Sequence, residues 1–388
     1  MENLPRMKFF SCVLALLIAS QHGIAAAPII PAPPQIAASG YLLIDADTRR
    51  VLVESNANEP LPPASLTKIM TSYVAAVEVE SGRISLEDQV PISVKAWRTP
   101  GSRMFIQEGR QVALKDLLKG VVIQSGNDAS VAVAEHIAGS ESAFADMMNQ
   151  QAQQLGMLSS YFINATGLPA EGHVVTAADL ALLTNSLIRD FPEHYAMYAQ
   201  RSFEFNGIDQ PNRNRLLWKD RTVDGVKTGH TNAAGYCLVS SALRNGMRLI
   251  AVVMGTKSDE ARMQESLKLL SYGFRYFETR KLYEADIALK TSELWYGEDQ
   301  DVALGLAEEL FITIPRGHYD DLEAELKIPT YVEAPLSLGQ EVGELRLRLN
   351  GELIAKQALV ALSDAPEAGV FSRMSDGIYL FFADLFGG

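Results

Sequence analysis

Apolar and polar positions change period several times along the chain, and those changes divide it. "GYLLIDADTRRVLVES" (40–55) reads as two strands joined at Asp47-Thr48. From Ser65 the apolar residues fall at Leu66, Ile69, Met70, Tyr73, Val74 and Val77, the period of a buried helix. A mostly helical stretch runs from Leu114 to Gln154, and "TAAD" (176–179) reads as a capping box opening another helix. After about Val223 the pattern turns to strands. "YCLVSSALRNGMRLIAVVMG" (236–255) is two apolar strands joined through Asn245-Gly246, a hairpin signal. A helix then starts after Ser258, with Asp259 and Glu260 in its first turn, and continues to about Phe277.

Strands at both ends of the first ~250 residues, with helices between them, predict an α/β domain. It should hold one mixed sheet drawn from both ends and a helical region set against it. A linker is expected around Arg280 to Ala285. Beyond it "LFITIP" alternates, and "GELRLRLNGELIAKQALVAL" carries two strands about a second Asn-Gly turn, so a small all-β domain follows. The expected divisions are 28–284 and 285–366, with a terminal segment at 367–388.

That terminal segment, "VFSRMSDGIYLFFADLFGG", sets Phe371, Met374, Ile378, Phe381, Phe382 and Leu385 on one helical face, with Arg373, Asp376 and Asp384 elsewhere. It is too short and too charged to span a bilayer but suits a helix lying in the membrane interface. A helix docked on the protein body is the other reading. At the opposite end, Arg6 and Lys8, the apolar "FFSCVLALLIA" and the small residues "GIAAA" read as a secretory signal over residues 1–27.

Composition narrows the field. The 388 residues are 47% hydrophobic and 21% charged, with a net charge of −13, so a nucleic-acid partner is not expected. Without the signal only Cys237 remains, which rules out an internal disulfide. The six histidines show no metal-ligand spacing, and neither a metal nor another cofactor is expected.

Three clusters carry candidate chemistry. Ser65 and Lys68 form a Ser-x-x-Lys that puts both side chains on one helical face. At a helix start the free N–H groups and the positive dipole end favour a developing oxyanion. A lysine whose pKa is lowered by burial can activate the alcohol. Alone, Ser65 reads more simply as an N-cap. "QSGNDAS" offers Ser125 and Asn127 in a loop before a helix over 129–137, where they either relay protons and hold an amide or merely turn the chain. "VDGVKTGHT" offers Lys227 and Thr228 as an anion-binding pair on a strand, with Gly229 allowing close approach of a ligand backbone; an ordinary tight turn is the alternative.

The order Ser-x-x-Lys, Ser-Gly-Asn, Lys-Thr-Gly resembles the signature of penicillin-recognising serine enzymes. With "NRNRLLW" and "RLIAVVMG", the chain is similar to the low-molecular-mass, class C type-5 penicillin-binding proteins, the periplasmic D-alanyl-D-alanine carboxypeptidases, over essentially the whole length after the signal. The resemblance implies that Ser65 is acylated, that Lys68 is its base, and that Ser125 and Asn127 relay protons and hold the substrate. It implies that Lys227 and Thr228 bind the terminal carboxylate, with Arg213 and Arg262 nearby, and that the N–H groups of Ser65 and His230 form an oxyanion hole. Peptidoglycan stem peptides would be substrates, β-lactams covalent inhibitors, and the outer face of the inner membrane the location. Two departures stand out: "WRTPGSRMF" (97–105) is shorter than the family's usual loop, and Ser130 and Cys237 replace other residues. A serine β-lactamase remains the nearest enzyme rival, although no Glu-x-x-Leu-Asn segment occurs. A sensor or wall-binding protein acylated once is the non-enzymatic one.

Overall fold

The structure is a computed structural model that describes residues 30–386, with side chains described to residue 380; the expected signal segment lies outside these residues. Five strands build the main sheet: β1 (Gly40–Asp45), β2 (Val51–Ser55), β3 (Val223–Thr231), β4 (Gly235–Arg244) and β5 (Met247–Thr256), in the order β2-β1-β5-β4-β3. The sheet thus draws on both ends of the domain, and all four of its pairings are antiparallel. Asn245 and Gly246, with φ of 50° and 83°, turn β4 into β5 as the Asn-Gly signal predicts.

Alternation along the strands explains their near-continuous apolar sequence. Leu42 and Ile44 face one core with Ile250, Val252 and Val239, whereas Leu43 faces a second core with Ala251, Val253 and Leu238. The first core is filled by α1 (Thr67–Glu80), α2 (Asn127–Ala138), α3 (Glu141–Leu155) and α4 (Ala177–Asp190). The second is covered by α6 (Asp259–Tyr276) through Leu269, Leu270 and Phe274, and α5 (Leu216–Lys219) adds Leu216 and Leu217 there. Both faces are therefore dry. Thr176 caps α4 by accepting from Asp179 N at 3.0 Å, and Ser258 caps α6 by accepting from Ala261 N at 3.1 Å.

The expected linker is a strand. β6 (Phe277–Tyr283) follows α6 directly and pairs antiparallel with β9 (Leu310–Pro315), because Phe277 and Thr279 find buried sites there. The remaining strands, β7 (Ala288–Trp295), β8 (Asp301–Gly305), β10 (Leu322–Lys327), β11 (Val332–Glu333), β12 (Glu341–Leu349) and β13 (Glu352–Ala361), form a six-stranded sheet ordered β10-β12-β13-β8-β7-β11. Its own core gathers Val302, Leu304, Leu345, Leu347 and Leu359. A hydroxyl network joins the two units: Thr48 Oγ1 meets Thr313 Oγ1 at 2.6 Å, and Thr279 donates to Asp45 Oδ2 at 2.6 Å.

The terminal helix α7 (Val370–Phe386) docks by one side and leaves apolar side chains exposed on the other. Asp376 accepts from Tyr296 N at 3.0 Å and Tyr379 stacks on Trp295 with ring centres 5.4 Å apart, so one side docks on the β-rich unit. Phe371, Met374 and Ile378 remain exposed on it, Phe371 to 90%. Phe381, Phe382 and Leu385 lie among the undescribed side chains. Among the described residues no helix is long and apolar enough to cross a membrane.

Asp45 is fully buried, so its second oxygen depends on Thr279. Thr279→Val keeps the shape but removes that donor, and should cost about 1–3 kcal/mol in thermal or urea unfolding. Thr279→Ser, which restores the hydroxyl, should recover most of it.

Candidate active site

Ser65 lies in a single 3-10 turn, Ala64–Leu66, that leads into α1. No side chain caps either the turn or the helix. The N-cap reading of Ser65 is therefore wrong: its hydroxyl is free for other work, and it receives Lys68 Nζ at 3.1 Å.

Lys68 is wholly buried, and burial lowers its pKa to about 7, with Asp128 pulling the other way. Its three partners decide what the amine can do. Nζ lies 2.7 Å from Asn127 Oδ1 and 2.6 Å from Thr166 O. Asn127 cannot flip, because its Nδ2 donates to Pro100 O at 2.6 Å. Two partners are thus pure acceptors, and they take the two protons of a neutral amine. The lone pair then faces the one partner able to donate, the Ser65 hydroxyl. That is the arrangement of a general base beside a nucleophile.

Around this pair the chain is tightly set. Gly167, at φ of 83°, passes so close to the Ser65 turn that an added Cβ would lie 1.8 Å from Ala64 O. Gly229 on β3 packs against Pro63, Ala64 and Leu66, with an added Cβ 3.0 Å from Pro63 O. At Gly229 the chain itself makes a close approach. β3 and the Ser65 turn thereby become adjacent walls.

Ser125 ends a π-helical turn in the left-handed conformation (φ 65°, ψ 34°), which sets it at the cleft opposite β3. Strain of this kind at a non-glycine residue is characteristic of functional positions. Asn127 begins α2, two residues earlier than the sequence pattern indicates. Asp128 was not singled out from sequence. Its carboxylate accepts from Met104 and Phe105 N at 3.0 Å and from Ile106 N at 3.3 Å, and so pins the short loop that closes one side of the site. Thr166 was missed as well, since a backbone carbonyl leaves no mark in residue type.

Lys227 is buried on β3, and its pKa falls well below the ordinary value through burial first, then through Lys68, Arg262 and Arg213. Thr228 and Gly229 line the cleft, and His230 stacks on Tyr236 at 4.0 Å. Arg262 is buried: it donates to Gly229 O at 2.9 Å and pairs with Asp259. Arg213 is exposed at the cleft edge, with Nε 3.2 Å from Gln124 Oε1. The cleft encloses about 870 Å³, enough for a peptide-sized ligand. Cys237 is buried beneath it with its thiol pushed up to about 11, far from a reactive thiolate. Ser130 is also buried and donates to Gly126 O at 2.7 Å. Among the described residues, no group of three His, Cys, Asp or Glu side chains is placed to hold a metal.

Comparison with known proteins agrees with this geometry. The family model for D-alanyl-D-alanine carboxypeptidase matches residues 27–258, and that for the penicillin-binding protein 5 C-terminal domain matches 277–367. The D-alanyl-D-alanine carboxypeptidase DacC of Escherichia coli (strain K12) is 44% identical over 362 residues, 91% of this chain and 90% of the relative. The crystal structure of penicillin-binding protein 5 from Haemophilus influenzae superposes with a TM-score of 0.84 at 42% identity, over 87% of this chain and all of that one. An ampicillin-bound form of penicillin-binding protein D2 from Listeria monocytogenes superposes with a TM-score of 0.58 at 29% identity, over 63% of this chain and 100% of that one.

Asp128 raises the Lys68 pKa by its charge, so Asp128→Asn should move the Lys68 titration below about 7. The same substitution puts an N–H₂ among backbone donors and should cost about 1–3 kcal/mol. Labelled-lysine NMR and thermal unfolding read the two effects separately.

Proposed function

The chain belongs to the D-alanyl-D-alanine carboxypeptidase family, and from that premise we propose how its residues divide the work. It is a serine-type D-Ala-D-Ala carboxypeptidase of the penicillin-binding protein 5 type, and it binds β-lactams. In this proposal a peptidoglycan stem peptide enters with its terminal carboxylate at Lys227 and Thr228, with Arg213 and Arg262 adding positive charge. Ser65 Oγ attacks the penultimate carbonyl and Lys68 takes the hydroxyl proton. The N–H groups of Ser65 and His230 stabilise the oxyanion. Terminal D-Ala leaves with a proton relayed through Ser125 or Lys68, and water then releases the shortened peptide. Asn127 holds Lys68 in register and offers its amide edge to the substrate.

One observation carries the assignment of the base: both acceptors around the buried Lys68 amine are fixed, which leaves its lone pair to the Ser65 hydroxyl. The proposal divides the chain at 28–284 and 285–366, with export directed by residues 1–27 and work in cell-wall maturation at the outer face of the inner membrane. Its main rival, a serine β-lactamase, is disfavoured by the lack of a Glu-x-x-Leu-Asn segment. A sensor acylated once would stop at one equivalent.

The test is multiple-turnover D-Ala release from a pentapeptide. Ser65→Ala should reduce it to background, and a variant that kept releasing D-Ala would remove Ser65 from the mechanism. With a base whose pKa is about 7, acylation should climb with pH through neutrality and level off above it. A rate already at its plateau at pH 5 would argue against Lys68.

The membrane assignment rests on the exposed Phe371, Met374 and Ile378. Deleting 367–388 should transfer the protein from the membrane pellet to the soluble fraction; unchanged sedimentation would leave these residues a docking role only.

A further inference from the structure

A buried amine is directed by the acceptors that fix it, and one of the two around Lys68 is a backbone carbonyl on a loop. That carbonyl, Thr166 O, belongs to a loop whose ends meet at Tyr161 and Val174, joined by N–H···O bonds of 2.8 and 3.1 Å. Asn164 holds the loop's local shape, its Oδ1 accepting from Thr166 N at 3.0 Å and from Gly167 N at 2.8 Å. α1 meets three successive loop residues. Thr71 Oγ1 donates to Ala165 O at 2.7 Å, Lys68 Nζ lies 2.6 Å from Thr166 O, and Thr67 packs on Gly167, whose added Cβ would stand 2.9 Å from Thr67 Oγ1.

One side chain on the returning limb of the loop reaches back to that helix. His173 is buried, and its Nε2 lies 3.0 Å from Thr67 Oγ1. Its ring also meets Phe162 on the outgoing limb, edge to face with centres 5.9 Å apart, so it joins both limbs to α1. Burial holds its pKa down at about 4, which keeps the ring neutral near pH 7. Among the described residues nothing accepts from the buried Nδ1, so the ring proton belongs on Nε2, where it reaches Thr67. The bond stands beside a gap in the packing. Pro63, Ala64, Gly167, Leu168 and His173 line a cavity of about 170 Å³ that shares no lining residue with the catalytic cleft. The loop therefore has room to shift wherever a bond does not hold it.

We propose that His173 is a positioning residue for the base: by donating to Thr67 it locks the 161–174 loop onto α1, and so sets Thr166 O where it turns the Lys68 lone pair towards Ser65. This rests on the reading of Lys68 as the base. With the donor gone, the loop settles towards the cavity and Thr166 O draws away from Nζ. One N–H direction is then no longer fixed, the lone pair faces the Ser65 hydroxyl less often, and proton transfer slows. The ammonium form suffers more than the neutral amine from losing a carbonyl, because its bond is charge-assisted, so Lys68 titrates below its value of about 7. Asp128 and Lys227, the charged neighbours of Lys68, are not touched by the change. The carboxylate-binding side of the cleft, on β3, takes no part in it.

The experiment follows labelling of the purified protein by a fluorescent penicillin, whose saturation kinetics separate the non-covalent dissociation constant from the acylation rate constant. Labelled-lysine NMR reads Lys68 alongside. His173→Leu should lower the acylation rate constant about tenfold, the scale of a slightly misplaced base, while the dissociation constant moves less than about twofold. Lys68 should titrate lower than in wild type. His173→Gln, whose amide N–H₂ can reach Thr67, should restore most of the rate. Thr67→Val removes the same bond from its other side, so it carries the test if His173→Leu does not fold. Combining the two should cost little more than either alone. Wild-type acylation in His173→Leu overturns the proposal, as does a slowed variant whose Lys68 titration has not moved, or a pair of losses that simply add. A wild-type acylation rate with no acid limb near neutrality would instead overturn Lys68 as base, and the role of His173 with it.

Discussion

The proposed chemistry depends on keeping one amine dry. Lys68 is fully buried in the helical core, and an isolated ammonium there would be expensive. The chain meets that cost by lowering the pKa to about 7, so that the neutral form is accessible, and by giving the amine two fixed acceptors. A lysine with free rotation in water would be charged and useless as a base. Here burial, Asn127 and Thr166 act together, and each fixes a different degree of freedom: protonation, one N–H direction, the other N–H direction.

The rest of the domain is arranged to hold those three partners still. Asn127 and Thr166 come from segments 59 and 98 residues away from Lys68, so only tertiary structure can bring them together. Asn127 is locked by Pro100 O, and its loop by the carboxylate of Asp128 next door. Thr166 is held through Gly167, which must be glycine to sit against Ala64. Small residues are thus placed where the Ser65 turn meets other backbone, and the sheet's β3 can close on the same turn through Gly229. Close packing and catalytic alignment are here one requirement.

Sequence made much of this visible. The two Asn-Gly hairpins, the caps at Thr176 and Ser258, and the sheet built from both ends of the domain all follow from local rules, because turn chemistry and period act over a few residues. The three motifs come together at one cleft through Ser65, Ser125 and Thr228. What stayed hidden was long-range or backbone-borne. Thr166 acts through a carbonyl, Asp128 through a loop that precedes it, and Gly229 through its packing against the Ser65 turn. The segment near Arg280, polar enough to suggest a linker, is a strand because β9 supplies it with a partner. No local pattern announces a partner that lies thirty residues ahead.

Charge placement ties the base to substrate recognition. Burial weakens the positive form of Lys227, and the neighbouring Lys68, Arg262 and Arg213 weaken it further. A crowd of cations without an anion is an unfavourable state, and Asp259, already shared between Arg262 and Arg215, offsets only part of it. A carboxylate entering the cleft relieves that repulsion, so the cleft favours an anion electrostatically before any hydrogen bond forms. Neutral Lys68 fits the same logic, since one fewer positive charge among these groups lowers the repulsion. The proposed base and the lysine proposed to hold the substrate are therefore linked electrostatically: removing the charge of Lys68, Arg262 or Arg213 should raise the pKa of Lys227.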